Sequence, residues 1–414
     1  VTASPPTGYR GIFRSTEYRG LFAAQTVSMI GDQFARVALA VLVFDRTGSP
    51  AWTALTYGLT FLPDLVGGPL LSGLADRYPR RGLIISCDVL RALLVALMAV
   101  PGTHLAALCV LLVAVQLISA PANAARGALL PSVLGEADYP AGQAALQSVT
   151  QAAQVIGFAA GGALVATIGT SGVLLADAAT FLTSALLVAR LVRHRPAATE
   201  DGDDASKATR AWLPDLMDGS RLVLTDARLR ALVLFACVSG FYIVGEALAV
   251  PYAAALGNGA IAVGFMFAGY AAGAAVGALV VARLPAPTRL RLMPPLSVAA
   301  CAPLVLCFAD PALGVVVALF VASGLGSAYN VVASTTFVLT VPDSRRGQAF
   351  GLAVTALKVS QGLGVMLAGL AAEHIAPHQV VGLAGVLGVL AAAAVAHTWR
   401  AADGPRFALA AQPA

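Results

Sequence analysis

The sequence predicts an all-α membrane protein, with twelve transmembrane helices in two pseudo-symmetric six-helix halves. Three observations predict it. The 414 residues are 58% hydrophobic and only 11% charged, whereas soluble domains carry about 25% charged residues. The polar side chains are too few to cover a surface facing water. The apolar residues also come in runs near the length, about 20 residues, that crosses a hydrocarbon core. Finally, the basic residues gather between alternate runs, as Lys and Arg do on the inner side of a membrane.

The runs fall at 20–44, 51–74, 83–102, 104–125, 140–168, 172–192, 230–254, 260–283, 290–309, 312–340, 347–372 and 379–399. Helices are required because hydrocarbon offers no partner to an open backbone group. On this reading Arg10, Arg14, Arg19, the Arg77–Arg81 cluster, Arg126, and the basic residues of 190–230, 283–291, 345–346 and 400–406 share one side. Arg46 stands on the other, and Arg36, Arg91 and Lys358 lie inside spans. That asymmetry predicts a multi-pass protein of the cytoplasmic (inner) membrane with both termini inside. Charges from Ser28 to Arg36 interrupt the first run, so it does not read as a cleavable signal peptide.

The expected divisions are an N-terminal half (1–192), a linker (193–229) and a C-terminal half (230–414). In the linker, Trp212, Leu213, Leu216, Met217 and Val223 can share one helix face at the inner interface. A plain linker is the alternative. The halves repeat sparsely. Gly142-Gln143-Ala144 recurs as Gly347-Gln348-Ala349, and Asn123 before Pro131 is echoed by Asn330 before Pro342.

The loop Ser72–Gly82, SGLADRYPRRG, packs Asp76, Arg77, Arg80 and Arg81 between the second and third runs. There the chain resembles the major facilitator superfamily, whose signature at that place is Gly-x-x-x-Asp-Arg-x-Gly-Arg-Arg-like. Ser72 and Pro79 depart from its glycines. The resemblance implies the major facilitator fold and a latch role for these four charged residues. Ile156–Gly162 is similar to the family's exporter signature, with Phe158 in place of its proline. Pro121–Pro131 and Asp45–Ser49 resemble the macrolide-efflux and enterobactin-exporter-like branch. The family's Arg-x-x-Gln-Gly pattern in the fourth span is absent.

Charges inside spans are expensive, so each needs a partner, a cavity or a function. Gln25, Asp32 and Arg36 share a face of the first span. Asp32 and Arg36 either neutralise each other along the helix, or Asp32 binds a proton or a cationic substrate. Tyr242 and Glu246 share a face of the seventh span, and Glu246 has no basic neighbour within a turn. A buried carboxyl so placed either loads a proton, which makes it the first choice for coupling, or is hydrogen-bonded across a helix contact. Gln143, Gln147, Gln151 and Gln154 form a ladder in the fifth span. It lines either a polar cavity or a hydrogen-bonded seam. Lys358 in the eleventh span either pairs with a carboxylate, from Asp32, Asp64 or Glu246, or stays neutral. Asp88 and Arg91, three apart in the third span, read as a structural ion pair, and Asp177 as structural.

No phosphate-binding glycine loop, metal-binding or nucleophile motif appears in the sequence. Neither an enzyme nor a cofactor is expected. Nor is a nucleic-acid partner, since the net charge of +5 comes from loop arginines. The five cysteines lie in apolar runs without metal-ligand spacing. The expected function is a monomeric secondary transporter exporting a small amphipathic compound, by proton exchange and alternating access. The proton-coupling or cavity residues are Asp32, Arg36, Glu246, Lys358, Gln25, Tyr242, Gln147, Gln151, Asn123 and Asn330. Proton-coupled uptake of a nutrient and a non-transporting receptor are the alternatives.

Overall fold

A computed structural model describes residues 11–61, 77–195, 223, 225–342 and 346–402. Helices account for nearly all of them. The chain runs through α1 (Thr16–Thr47), α2 (Pro50–Gly58), α3 (Arg80–Met98) and α4 (Leu105–Leu191). It continues with α5 (Ala227–Cys237), α6 (Ser239–Ala247), α7 (Ala249–Ala255), α8 (Ala260–Ala282) and α9 (Ala286–Val305). After a 3-10 turn at Leu306–Ala309 come α10 (Leu313–Gly326), α11 (Tyr329–Thr340), α12 (Arg346–Ala371) and α13 (Pro377–Ala401).

At 1.5 Å per residue an unbroken α4 would measure about 130 Å, several times a bilayer's thickness. Two glycines divide it. Gly135 (φ 74°, ψ 168°) and Gly169 (φ 71°, ψ 169°) adopt a backbone conformation nearly closed to residues with a Cβ. Each reverses the chain, giving the fourth, fifth and sixth spans. The seventh span is α5, α6 and α7 in sequence, interrupted at Val238 and Leu248. The tenth is α10 and α11, interrupted at Ser327 and Ala328.

Among the described residues, nine helices are long and apolar enough to cross a membrane, with α4 beyond Gly135 taken as one. Gly169 divides that one. α2 begins the expected second span, whose remainder lies outside the described residues, and α3, carrying Arg80, Arg81, Asp88 and Arg91, is the third. The described helices stand at the places expected for twelve spans. Leu93, Leu97, Leu182, Leu367 and Leu390 are all more than half exposed. A belt of leucines turned outward is costly in water and satisfied in lipid.

The helices pack as two compact units. One comprises residues 1–42 and 62–210, the other 43–61 and 211–414. Residues 43–61, expected with the first half by chain order, therefore pack with the C-terminal helices. Within that second unit α2 lies on α12, where Gly369 leaves room for Ala51 and Ala54. In the first unit α1 crosses the fifth span. A Cβ on Gly157 would come within 2.7 Å of Gln33 Cβ, and one on Gly161 within 3.2 Å of Phe34 Cα. Two glycines of the Ile156–Gly162 run thus hold the two helices at close approach.

Candidate functional site

The first unit gathers its charges at the crossing of α1, α3 and α4. Arg91 donates to Asp32 Oδ1 at 2.9 Å, and its guanidinium lies 4.0 Å from the Phe181 ring centre. Asp32 keeps 33% side-chain exposure, whereas Arg91 is 4% exposed. Asp177 is 1% exposed, and the charges of Asp32 and Arg91 both act on it. Thr180 Oγ1 lies 3.2 Å from its Oδ1. Deeper along α3, Arg126 donates to both oxygens of Asp88, at 2.9 and 2.7 Å, and Ser184 donates to Asp88 Oδ2 at 2.7 Å.

These pairings correct three expectations. Asp88 and Arg91 do not pair with each other. Three residues apart on one helix, the short Asp88 carboxylate meets Arg126 from the fourth span, and the longer Arg91 reaches across to α1. Asp32 does not pair with Arg36. Its ion pair is with Arg91, and Arg36 is half-buried one turn further along α1. Arg126, read as a loop arginine, lies inside α4 and is 8% exposed. Helix continues past the expected end of the fourth span because no residue before Gly135 breaks it.

The second unit carries an aromatic cluster with one acid and one base. Tyr57 on α2 donates to Glu246 Oε2 at 2.5 Å, and Glu246 is 8% exposed. The Tyr57 ring stands edge-on to Phe61 at 5.6 Å, and Lys358 Nζ lies 5.0 Å from the Phe61 ring centre. Asn330 donates to the Tyr242 hydroxyl at 2.6 Å. Tyr242 stacks on Tyr270 at 6.0 Å and meets Tyr329 edge-on at 6.4 Å. Tyr242 and Glu246 sit on α6, between the two interruptions of the seventh span. Tyr329 and Asn330 begin α11, just past the interruption of the tenth. Broken helices of this kind occur where a transporter lines a polar cavity.

Of the expected residues, Tyr242 and Asn330 come together. Gln25 and Gln151 are half-buried, and Gln147 and Asn123 are exposed. None of these four makes a hydrogen bond to a described residue. Asp76 and Asp64 lie outside the described residues. Arg77 is exposed. Arg80 donates to Ala128 O at 2.9 Å and Arg81 to Ala189 O. Arg81 thereby caps the last turn of α4, where a cation suits the helix dipole. Sequence reasoning missed Tyr57, Tyr270 and Arg126. The tyrosines stand in apolar runs with nothing in their spacing to single them out. Arg126 had a visible signal in the long apolar helical run around it.

The apolar helices and the charges held inside them define a multi-pass membrane protein. A family model described as Major Facilitator Superfamily matches residues 21–284 and 231–411, and the chain belongs to that superfamily. It is 25% identical over 242 residues to the uncharacterized MFS-type transporter YkuC of Bacillus subtilis (strain 168), covering 56% of this chain. The match spans about half of that relative, 54%. It is 26% identical over 376 residues to the multidrug efflux pump Tap of Mycolicibacterium fortuitum, covering 86% of this chain and 89% of Tap. The fold is similar to that of the nucleoside transporter NupG, with a TM-score of 0.72 at 14% identity, covering 93% of this chain and 99% of NupG.

Proposed function

We propose that the chain exports small amphipathic compounds carrying a positive charge, by exchange for protons through alternating access. The observation that supports this best is the Glu246–Tyr57 pair set among the rings of Phe61, Phe267, Tyr242 and Tyr270. Aromatic faces attract apolar rings and cations alike, and a carboxylate adds charge selectivity. The similarity to a multidrug efflux pump along most of the chain favours export. Asp32 and Glu246 take the proton or the cationic group. Arg91 on Asp32 and Lys358 beside Phe61 set the charge around them. The latch at Asp76, Arg77, Arg80 and Arg81 works at the inner membrane face, where both termini lie.

The test uses ethidium, a planar aromatic cation, in everted membrane vesicles. Expected is ethidium accumulation driven by a proton gradient, abolished by an uncoupler and lost in Glu246→Gln. Accumulation insensitive to the uncoupler would remove the antiport reading. A second reading, proton-coupled uptake of a polar nutrient, is favoured by the Tyr242–Asn330 pair, since an amide beside stacked tyrosines suits a sugar-like ring. Gradient-driven uptake in right-side-out vesicles would favour it.

A further inference from the structure

Arg126 neutralises Asp88 in a closed pair. Arg91 pairs with Asp32, and the buried Asp177 makes no ion pair with a described residue. The backbone brings these acids together. A Cβ on Gly31, the residue before Asp32, would collide with Asp177 Oδ1 and Thr180 Oγ1. The Asp177 carboxylate therefore rests against α1 one residue from Asp32. Other polar or titratable groups near this crossing include the Cys87 thiol, near Asp88 and Arg91, Gln33, buried beside Asp32 on α1, and Arg36, one turn further on. Arg36 makes no ion pair with a described residue.

We propose that Asp32 and Asp177 share a single proton beside Arg91, and that this is the proton exchanged during transport. With both carboxylates ionised the trio carries one net negative charge in a site closed to water around Asp177, which hydrocarbon penalises. One bound proton makes the trio neutral. When it leaves, one carboxylate is freed to ionise. The half-open Asp32 is the side from which the proton enters, and Asp177 behind it is the reserve. Taking up this proton on one side of the membrane and releasing it on the other is what exchange requires. Assigning this proton to coupling rests on the antiport reading above and leaves Glu246 to the substrate's cationic group.

The test is infrared titration of the full-length protein in nanodiscs, in a Glu246→Gln background, following the protonated-carboxyl C=O band across neutral pH. A band is expected. Asp177→Asn abolishes it, and so does Asp32→Asn, because the remaining carboxylate then pairs with Arg91 and needs no proton. Asp177→Glu retains it. A band that survives in Asp32→Asn makes Asp177 an isolated neutral acid and overturns the proposal, as does the absence of any band. Separately, with Glu246 restored, Asp177→Asn is expected to lose gradient-driven ethidium accumulation in everted vesicles while still binding ethidium. Unchanged accumulation overturns the coupling role. If the unsubstituted protein moves no ethidium, the transport reading fails for that probe, and the infrared result still decides whether the proton is shared.

Discussion

At the scale of single residues, the ion pairs follow from reach and depth. Asp88 is fully buried and takes three hydrogen bonds from Arg126 and Ser184. A closed, satisfied pair of that kind holds helices in register and is poorly suited to exchange protons. Replacing Arg126 by Leu leaves a buried carboxylate without its cation, at a cost of about 3–5 kcal/mol. The expected result is a marked fall in the melting temperature of the solubilised protein, mostly recovered when Asp88→Leu is added. A silent Arg126→Leu would mean that the pair contributes nothing to stability. The sequence displayed Asp32, Asp88, Arg91 and Asp177 as charges needing partners. It did not display which partner each takes, because that depends on helix rotation and depth. Spacing along one helix favoured Asp88–Arg91 and Asp32–Arg36, and contacts across helices won both.

At the scale of elements, helix ends and breaks position the functional groups. Ser49 caps α2 by accepting from Trp52 N at 3.2 Å, and Pro50 fills the first helical position. Ser49 also donates to Glu373, and Ala51 N donates to Glu373 Oε1 at 3.0 Å. Glu373, between α12 and α13, thus anchors the start of the helix that carries Tyr57. The Ser49 hydroxyl and then the Ala51 N–H hold its carboxyl below the ordinary value of 4.5. A lowered folded pKa means that the stabilisation is present above the ordinary value and fades as pH falls through the folded one. Hydrogen exchange in the first turn of α2 should therefore be slow at neutral pH and quicken below pH 4.5 after correction for intrinsic rates. Glu373→Gln should remove that pH dependence. A dependence unchanged in Glu373→Gln would assign the anchor elsewhere. Serine, proline and the following apolar run made the start of α2 legible. The distant acid that completes it was not.

At the scale of the whole molecule, alternation of the spans explains which loops meet. In the second unit the turn before α2 meets the turn after α12, and Asp310 after α9 lies 3.5 Å from His378 at the start of α13. In the first unit Glu17 at the start of α1 pairs with Arg195 at 2.7 Å, beyond the end of α4. The sequence expectation of twelve spans with both termini inside puts the first set outside and the second inside. In a cysteine-free background, Arg195→Cys and Arg283→Cys should react with an impermeant maleimide only in everted vesicles, and Gln379→Cys only in intact cells. Labelling of all three from one side would break the span count. The sequence by itself marked where the spans lie, because hydrocarbon imposes a continuous apolar helix at every crossing. Tertiary structure alone decided that residues 43–61 pack with the C-terminal helices, that Tyr57 meets Glu246, and that Arg91 pairs with Asp32. Those outcomes depend on how far helices rotate and how closely they approach, and small residues such as Gly31, Gly157 and Gly369 set that through three-dimensional fit rather than through any period along the chain.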